Sequence, residues 1–370
     1  MKILLSRLRL IGDVVFTTPL LRGLRRRFPH ADLVYLVEPA AAPVILHNPH
    51  LTDLIVVPYR RGLVRLGDDL RIAARLRRER FDVAIDLHGG PRSAWLTWAT
   101  GAPMRIGYQI AGRTWMYTHV VPRSPELTPR HSVANQWDLL APLGIEPGEP
   151  SRDAVEMRED PAAATRVGER LRRANIDDRH ALVVIHVSAG NPFRRWPAPA
   201  FQKLVVSLVR RDARRRIVLT SGPSDAQAAQ AIAAAARQEL GALAESVADL
   251  GEFDLTELRA LVGRAAVYIG GDSGPVHIAS TTTTPIVELL GPTLPDRSRP
   301  WRDARWYSEI VDAGPLPCRP CHQRTCAPGD FRCLTMITPE QVVAAAERSL
   351  THAAGSRGDL QPIKARELSA

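Results

Sequence analysis

Short apolar runs alternate with amphipathic stretches along the first half of the chain. Residues 2–8, 33–37 and 54–57 have the apolar composition of buried strands. Between them, residues 14–28 and 66–80 repeat apolar side chains at helical spacing, and the second of these helices is basic. This alternation predicts βαβ units and a parallel sheet, whose functional loops lie beyond the carboxyl ends of the strands.

The same alternation returns in the second half, after residues 146–164, which are rich in proline, glycine and acidic residues and are typical of a linker. The pattern there predicts strands at 181–187, 217–220, 266–270 and 285–290, and helices at 198–210, 225–243 and 255–263. We therefore predict an α/β protein with two Rossmann-like domains, residues 1–160 and 161–338, that face each other across a cleft. The polar residues 353–370 lack an apolar face and are predicted to be disordered.

The chain is strongly basic, with a formal net charge of +10 over 370 residues. An arginine excess suits nucleic acid, an anionic membrane or an anionic substrate, although for most of the arginines we favour solvated helix faces. Few aromatic residues interleave with them, which disfavours a nucleic-acid platform. Arg7 and Arg9 interrupt the apolar N-terminus, and no apolar run reaches the roughly 18 residues of a membrane span, so we predict a cytoplasmic protein.

Residues 267–279 form the most informative motif, in which an apolar strand ends in a small-residue turn that opens a helix. Gly271 and Gly274 let backbone approach a ligand, and the N–H groups and dipole of the helix start favour phosphate. Asp272 and His277 add a carboxylate and an imidazole at the same rim. An ordinary capped turn beside a core histidine explains the same residues, so the motif alone leaves both interpretations open.

A second small-residue turn follows the first predicted strand. Gly12 permits a tight turn there, and Asp13 stands at the start of the next helix, facing the predicted cleft. Taken alone, the pattern favours a helix N-cap over a chemical role for Asp13.

Two loops of the second half also follow predicted strands and contain small or polar residues. Ser188 and Arg194 follow the strand at 181–187, where a hydroxyl and a guanidinium can bind phosphate. Ser221 and Gly222 follow the strand at 217–220, again where ligand loops lie in such folds.

All four cysteines fall in one short loop, at Cys318, Cys321, Cys326 and Cys333. Four thiolates can hold zinc or iron in a tetrahedral site, which would be structural because no coordination position stays open for chemistry. The alternative is a loop of reduced, metal-free thiols, as the cytoplasm permits.

Taken in order, these motifs resemble glycosyltransferase family 9, the bacterial ADP-heptose:lipopolysaccharide heptosyltransferases. The resemblance spans roughly residues 1–350 and rests mainly on 11–15 and 271–277, with residues 195–197, 291–293 and the pair Cys318-x-x-Cys321 fitting as well. It implies a GT-B architecture with an acceptor-binding N-terminal domain, a nucleotide-sugar-binding C-terminal domain and a helix at 339–352 that packs back toward the first domain. The implied reaction is an inverting transfer of heptose from ADP-heptose to an inner-core sugar hydroxyl of lipopolysaccharide.

The resemblance also implies roles for individual residues. Asp13 takes the position of the family's catalytic base, which reverses the preference for an N-cap. The implied donor-binding residues are Ser188, Arg194, Ser221, Gly222, Asp272, Ser273, Gly274 and His277. The family usually has lysine where Arg194 stands, and this exchange keeps the charge but alters the geometry. With such a cationic set, catalysis is expected to need no metal or other cofactor.

The acceptor implied by the resemblance, the Kdo and heptose region of lipid A, is anionic. We expect Arg60, Arg61 and Arg92, on loops of the first domain, to meet it, and the basic surface to contact the inner leaflet of the cytoplasmic membrane. Two alternatives stay within the family: transfer to a protein acceptor, by a branch that carries a four-cysteine metal finger, and the use of another nucleotide sugar. A dinucleotide-dependent oxidoreductase is disfavoured because the first strand lacks a following G-x-G-x-x-G.

Overall fold

Each half of the chain forms a parallel six-stranded sheet. The computed structural model describes residues 1–60, 62–125 and 127–358, without the side chains of 63 and 354–358. Arg61 and the predicted tail beyond residue 358 thus lie outside the described residues. Within that part, no helix is both long and apolar enough to cross a bilayer.

The first sheet has the strand order β3-β2-β1-β4-β5-β6. Its strands are β1 (Lys2–Ser6), β2 (Asp32–Val37), β3 (Asp53–Val56), β4 (Val83–Asp86), β5 (Met104–Tyr108) and β6 (His119–Val121). The helices of this half are α1 (Ile11–Val15), α2 (Thr18–Arg27), α3 (Gly62–Arg78), α4 (Pro91–Ala99) and α5 (Ser132–Trp137).

The second sheet has the equivalent order, β12-β11-β10-β7-β8-β9. Its strands are β7 (Ala181–His186), β8 (Arg215–Thr220), β9 (Val247–Ala248), β10 (Val267–Gly271), β11 (Ile286–Leu290) and β12 (Ser308–Asp312). The helices of this half are α6 (Pro161–Arg173), α7 (Ala198–Arg211), α8 (Ala226–Leu240), α9 (Leu255–Val262), α10 (Gly274–Ala279), α11 (Pro295–Ser298), α12 (Arg332–Thr335) and α13 (Pro339–Gly358).

The central strands are largely apolar because both faces of each sheet are covered. In β1, Ile3 and Leu5 belong to one apolar cluster, whereas the intervening Leu4 belongs to another on the opposite face. The strand order reverses between β1 and β4 and again between β7 and β10, and open α/β sheets bind their ligands at such switch points. The predicted two-domain GT-B architecture is confirmed. The boundary at residue 160 stays a prediction; α6 begins just after it, at Pro161.

The single helix predicted over residues 14–28 is wrong, because two helices, α1 and α2, occupy this region. Pro19 lies in the first turn of α2 and has no N–H to continue a helix that began earlier. The hydroxyl of Thr17 instead donates to the carbonyl of Val14 at 2.6 Å, which closes the end of α1.

The C-terminal helix differs from its prediction in direction and length. Val342, Val343, Ala345 and Ala346 are buried in the core of the second domain, so α13 packs on the second sheet rather than back on the first domain. The helix also continues to residue 358, past the predicted end at 352, although Gly355 is a poor helix former.

Candidate active site

Helices α1 and α10 meet end to end between the two domains. A Cβ built on Gly12 would lie 2.6 Å from Cδ2 of His277, and one built on Gly274 would lie 3.0 Å from Cβ of Ile11. Such distances leave no space for side chains, so glycine at both positions allows the two backbones to touch. The two motifs that stand at opposite ends of the sequence therefore form one site.

A row of aromatic rings continues this contact across the domains. The ring of His277 packs on Phe16 at 4.2 Å between centroids, Phe16 on His131 at 5.2 Å, and His131 on Trp301 at 4.6 Å. Burial lowers the pKa of His131 to about 4, so its imidazole is neutral at physiological pH. Its Nδ1 accepts from the amide of Val133, which leaves Nε2 to donate to the carbonyl of Arg299 at 2.9 Å.

Asp13 does not cap its helix. The N-cap of α1 is Leu10, which makes no side-chain cap bond and holds a left-handed φ of 71°, a conformation that costs a non-glycine residue about 1–3 kcal/mol. The carboxylate of Asp13 instead pairs with Nη2 of Arg7. Arg7 is anchored by a 2.8 Å bond to the carbonyl of Leu87, so the pair has a fixed orientation at the end of β1.

A cavity of about 470 Å³ opens in front of this pair. Its polar lining residues are Arg7, Asp13, Tyr108, Arg123, Ser124, Ser132, Asn135, Gln136 and Arg297. Three guanidiniums among hydroxyls and amides suit a ligand rich in oxygen and negative charge. This cavity could not be predicted from the sequence, because its residues come from separate segments of the chain.

His88 lies close to the same region, beyond the end of β4. Burial, followed by the positive charges of Arg7 and Arg9, lowers the pKa of His88 to about 4. This neutral imidazole can accept or donate a hydrogen bond without adding charge beside Asp13.

On the other side of the cleft, Asp272 is the centre of a buried polar group. Its Oδ2 lies 3.0 Å from Nη1 of Arg194, and its Oδ1 lies 3.8 Å from Nε2 of His277. Burial alone would raise the pKa of Asp272, but His277 and Arg194 hold it below the usual range. The carboxylate is therefore ionised. The hydroxyl of Ser273, which follows it, donates to the carbonyl of Gly271 at 3.2 Å and does not cap α10.

Arg194 also connects this group to the cysteine-rich loop. Its Nε donates to Oε1 of Gln323 at 2.7 Å, and Nδ2 of Asn191 donates to the same oxygen at 3.0 Å. Gln323 was missed from the sequence because nothing in its local pattern marks it. The guanidinium of Arg194 has five N–H donors, so some of them remain available for a ligand.

The loops after β7 and β8 converge beside Arg195. Ser188 donates its hydroxyl to Oδ2 of the buried Asp225, whose Oδ1 lies 3.1 Å from Nη2 of Arg195. A Cβ built on Gly222 would lie 3.5 Å from Oγ of Ser188, which brings the predicted pair Ser221–Gly222 to the same rim. Asp225 is a further polar residue of this rim that sequence reasoning took only as a helix start.

Glu288 is a second buried carboxyl group, close enough to Asp272 to interact with its charge. It is fully buried in β11, and within the described part of the chain neither of its oxygens has a hydrogen-bond partner. Burial, reinforced by the charge of Asp272, raises the pKa of Glu288 well above its usual value. Burial thus favours the protonated form of Glu288.

The arginines predicted to bind the acceptor do not line the cavity at Asp13. Arg92 is buried in a closed network with Glu38, Asp69 and the carbonyl of Pro58, which makes it a structural residue. Arg60 is exposed and lies 3.5 Å from Asp68. Arg61, the third predicted arginine, lies outside the described residues.

The four cysteines are free thiols of intermediate burial. Burial and the nearby thiols of Cys321, Cys318 and Cys326 raise the pKa of Cys333 to about 11. Among the residues that the structure describes, however, no group of three or more His, Cys, Asp or Glu side chains is arranged to hold a metal ion. The loop as it stands does not form the predicted site.

The paired Rossmann-like sheets, with a carboxylate on one side of the cleft and a cationic turn on the other, define the class of GT-B glycosyltransferases. A family model described as "Glycosyltransferase family 9 (heptosyltransferase)" matches residues 70–331. The chain belongs to this family.

Curated and solved proteins agree with that assignment. The chain is 26% identical over 353 residues to lipopolysaccharide heptosyltransferase 3 of Escherichia coli, covering 93% of this chain and 97% of that protein. In fold it is similar to a family 9 glycosyltransferase from Veillonella parvula, at 23% identity and a TM-score of 0.77 over 95% of this chain and 97% of that one. It is also similar to E. coli ADP-heptose lps heptosyltransferase II, at 21% identity and a TM-score of 0.74 over 96% and 100%.

A more distant fold match is the iron-containing dodecameric glycosyltransferase TibC from enterotoxigenic E. coli. Its TM-score is 0.56 at 14% identity, over 95% of this chain and 79% of that chain.

The substitution Gly12→Ala tests the contact between α1 and α10. Its new methyl group would meet the packed ring of His277, and overpacking costs about 1–3 kcal/mol. We expect the melting temperature to fall by about 2–8 °C. Gly168→Ala is the matched control, because no atom lies within 4 Å of its built Cβ. Equal melting temperatures for the two variants would contradict the close contact.

The substitution Glu288→Gln tests the buried protonated carboxyl. The unfolded chain releases this proton near the ordinary pKa of 4.5, whereas the folded chain keeps it. Above that pH the folded state binds more protons, so wild-type stability falls by up to about 1.4 kcal/mol per pH unit until the folded pKa is reached. Glutamine does not titrate, so the variant lacks this pH-dependent loss of stability. Between about pH 5 and about pH 8, the melting temperature of the variant should rise relative to that of the wild type. A difference in melting temperature that does not depend on pH would contradict a raised pKa of Glu288.

Proposed function

We propose that this protein is an inverting heptosyltransferase that moves heptose from ADP-heptose to an inner-core sugar hydroxyl of lipopolysaccharide. The observation that carries this proposal is the contact of α1 with α10, which brings Asp13 into the same cleft as Asp272 and His277. Membership of family 9 and the lipopolysaccharide acceptors named for its relatives support this donor and this kind of acceptor.

Asp13 is the catalytic base in this mechanism. The acceptor hydroxyl oxygen attacks the anomeric carbon of heptose, its proton passes to the carboxylate of Asp13, and the bond from that carbon to the diphosphate oxygen breaks so that ADP leaves. The side chain of Asp13 is 30% exposed at the cavity, so it can reach a bound hydroxyl. Arg7 fixes the direction of that carboxylate through their ion pair.

The second domain supplies the donor site. Ser273 and Gly274, with Ser188, Ser221 and Gly222 on the neighbouring loops, offer backbone N–H groups for the diphosphate, and Ser221 adds a hydroxyl. The hydroxyl of Ser188 already donates to Asp225. Positive charge from Arg194 stabilises the negative charge that develops on departing ADP. Asp272 holds a sugar hydroxyl, and His277 holds Asp272 in place from the side of α1.

The cavity at Asp13 is the acceptor site. Its arginines, Arg7, Arg123 and Arg297, and its polar side chains match an acidic saccharide better than an extended peptide. Arg123 comes from the first domain and Arg297 from the second, so an acceptor bound here contacts both. Arg60 stays a candidate for the outer part of the acceptor, and Arg92 acts by fixing the loop that carries Pro58.

The lipid-linked acceptor also implies a location. We propose that the protein acts at the cytoplasmic face of the inner membrane as a peripheral protein, since its excess of arginine favours an anionic surface.

The substitution Asp13→Asn tests the base. The amide keeps the shape of the side chain but cannot take a proton at neutral pH, so we expect the rate of heptose transfer to core oligosaccharide to fall on the order of a hundredfold or more. Binding of ADP-heptose should persist. Asp32→Asn is the control, because Asp32 is an exposed carboxylate at the start of β2. Mass spectrometry of the product measures the rate, and unchanged turnover in the Asp13 variant removes it from the mechanism.

A structural metal in the cysteine-rich loop is a separate proposal, supported by the spacing of the thiols and by the iron of TibC. It requires the loop to close further than it does here. We expect elemental analysis of purified protein to find about one zinc or iron per chain, and Cys321→Ser with Cys326→Ser to remove it and lower the melting temperature. Metal-free protein with an unchanged melting temperature in this variant would contradict the proposal.

A further inference from the structure

The start of α3 carries an unusual set of apolar side chains in contact with solvent. Tyr59, Val64, Leu66 and Leu70 are exposed by 52%, 57%, 57% and 55%. Single exposed apolar residues are ordinary on protein surfaces, but a local group of this size marks an interaction site. We call this group, together with Arg71 and Arg75, the α3 face.

Leu66 and Leu70 lie on the outer surface of α3, Val64 lies about 160° around the helix axis from Leu66, and Tyr59 precedes the helix. Leu66 and Leu70 are one turn apart and therefore adjacent, whereas Asp69 and Leu76 point inward and are buried. Leu76 packs in the core beneath the helix. The apolar residues on the outside thus belong to no core of this chain.

The basic and acidic side chains of α3 differ in their exposure to solvent. Arg71 and Arg75 extend outward, with 82% and 53% of their side chains exposed. The acids of this helix, Asp68 and Asp69, retain only 12% and 10% exposure and pair with arginines. Arg71 pairs with Asp68, and Arg75 pairs with Asp53 and Glu79. The outer surface is consequently apolar, with arginines whose charge is partly balanced by these carboxylates but which still extend into solvent.

The α3 face lies at the edge of the sheet where the reaction takes place. Arg92, at the start of α4, bonds both the carbonyl of Pro58 and the carboxylate of Asp69. These bonds fix the first turns of α3 beyond the carboxyl ends of the strands, the same edge at which the cavity of Asp13 opens.

We propose that the α3 face docks on an anionic lipid bilayer and so presents the cavity to a lipid-linked acceptor; this inference rests on the proposed function. Leucine, valine and tyrosine enter the interface while the arginines contact lipid phosphates, the pattern of a helix that lies on a membrane. A second copy of the chain is a poor occupant, because a symmetric contact would set Arg71 and Arg75 against their equivalents.

Vesicle binding by the intact protein tests this surface. Wild-type protein should sediment with vesicles of phosphatidylcholine and phosphatidylglycerol, and much less with phosphatidylcholine alone. The double variant Leu66→Ser, Leu70→Ser should lose at least tenfold in affinity for the mixed vesicles. The control is Trp115→Ser, since Trp115 is 63% exposed and packs edge-on against Trp98 near the end of α4, at the opposite edge of the sheet. It should bind as the wild type does.

Three results would overturn the proposal. The first is wild-type protein that fails to bind the mixed vesicles. The second is a double variant that binds them as tightly as the wild type, and the third is a Trp115 control that loses as much affinity for them as the double variant. Concentration-dependent dimers that the double variant abolishes, without vesicle binding, would assign the face to a second copy.

Transfer assays separate this proposal from the proposed function. The double variant should modify soluble core oligosaccharide at the wild-type rate but modify vesicle-embedded acceptor at least tenfold more slowly. Equal rates on the embedded acceptor would overturn the docking face while leaving the transferase intact. Vesicle binding by a wild-type protein that modifies neither acceptor would overturn the proposed function alone.

Discussion

The backbone contact between α1 and α10 is the constraint on which the site depends. Two short helices, one from each sheet, touch at Gly12 and Gly274, where any larger residue would hold the domains apart. The row of rings from His277 to Trp301 extends this contact and keeps water from it. A base on one domain and a donor-binding turn on the other can cooperate only at this separation, because catalysis requires reacting atoms within contact distance.

Charge in the second domain is arranged around that contact. Asp272 stays ionised because Arg194 and His277 stabilise its negative charge, whereas burial and the charge of Asp272 raise the pKa of Glu288. The positive charge of Arg194 is balanced by the ionised Asp272, and the raised pKa of Glu288 disfavours a further negative charge beside the pair. An anionic diphosphate would therefore bind here through the remaining N–H donors of Arg194 and the backbone N–H groups of the turn before α10.

The sequence predicted the central strands and their parallel arrangement, because residues buried on both faces of a sheet form continuous apolar runs such as Leu182–Ile185. It did not predict β5, β6, β9 or β12, which are short or carry polar residues. It also located Asp13, Asp272 and Ser188 at the ends of strands. It failed where partners come from distant segments: Arg92 is indistinguishable from a ligand-binding arginine until Glu38 and Asp69 surround it. The packing of α13 was unpredictable for a related reason, since an alanine-rich helix can bury against either sheet.

Calorimetric titration of the purified protein with ADP-heptose, and with ADP, UDP and GDP for comparison, tests the central claim most directly. A cleft that holds the diphosphate through the second domain and the sugar through Asp272 should bind ADP and bind ADP-heptose more tightly. A preference for UDP or GDP, or the absence of any nucleotide binding, would contradict the assignment of heptosyl transfer to this site.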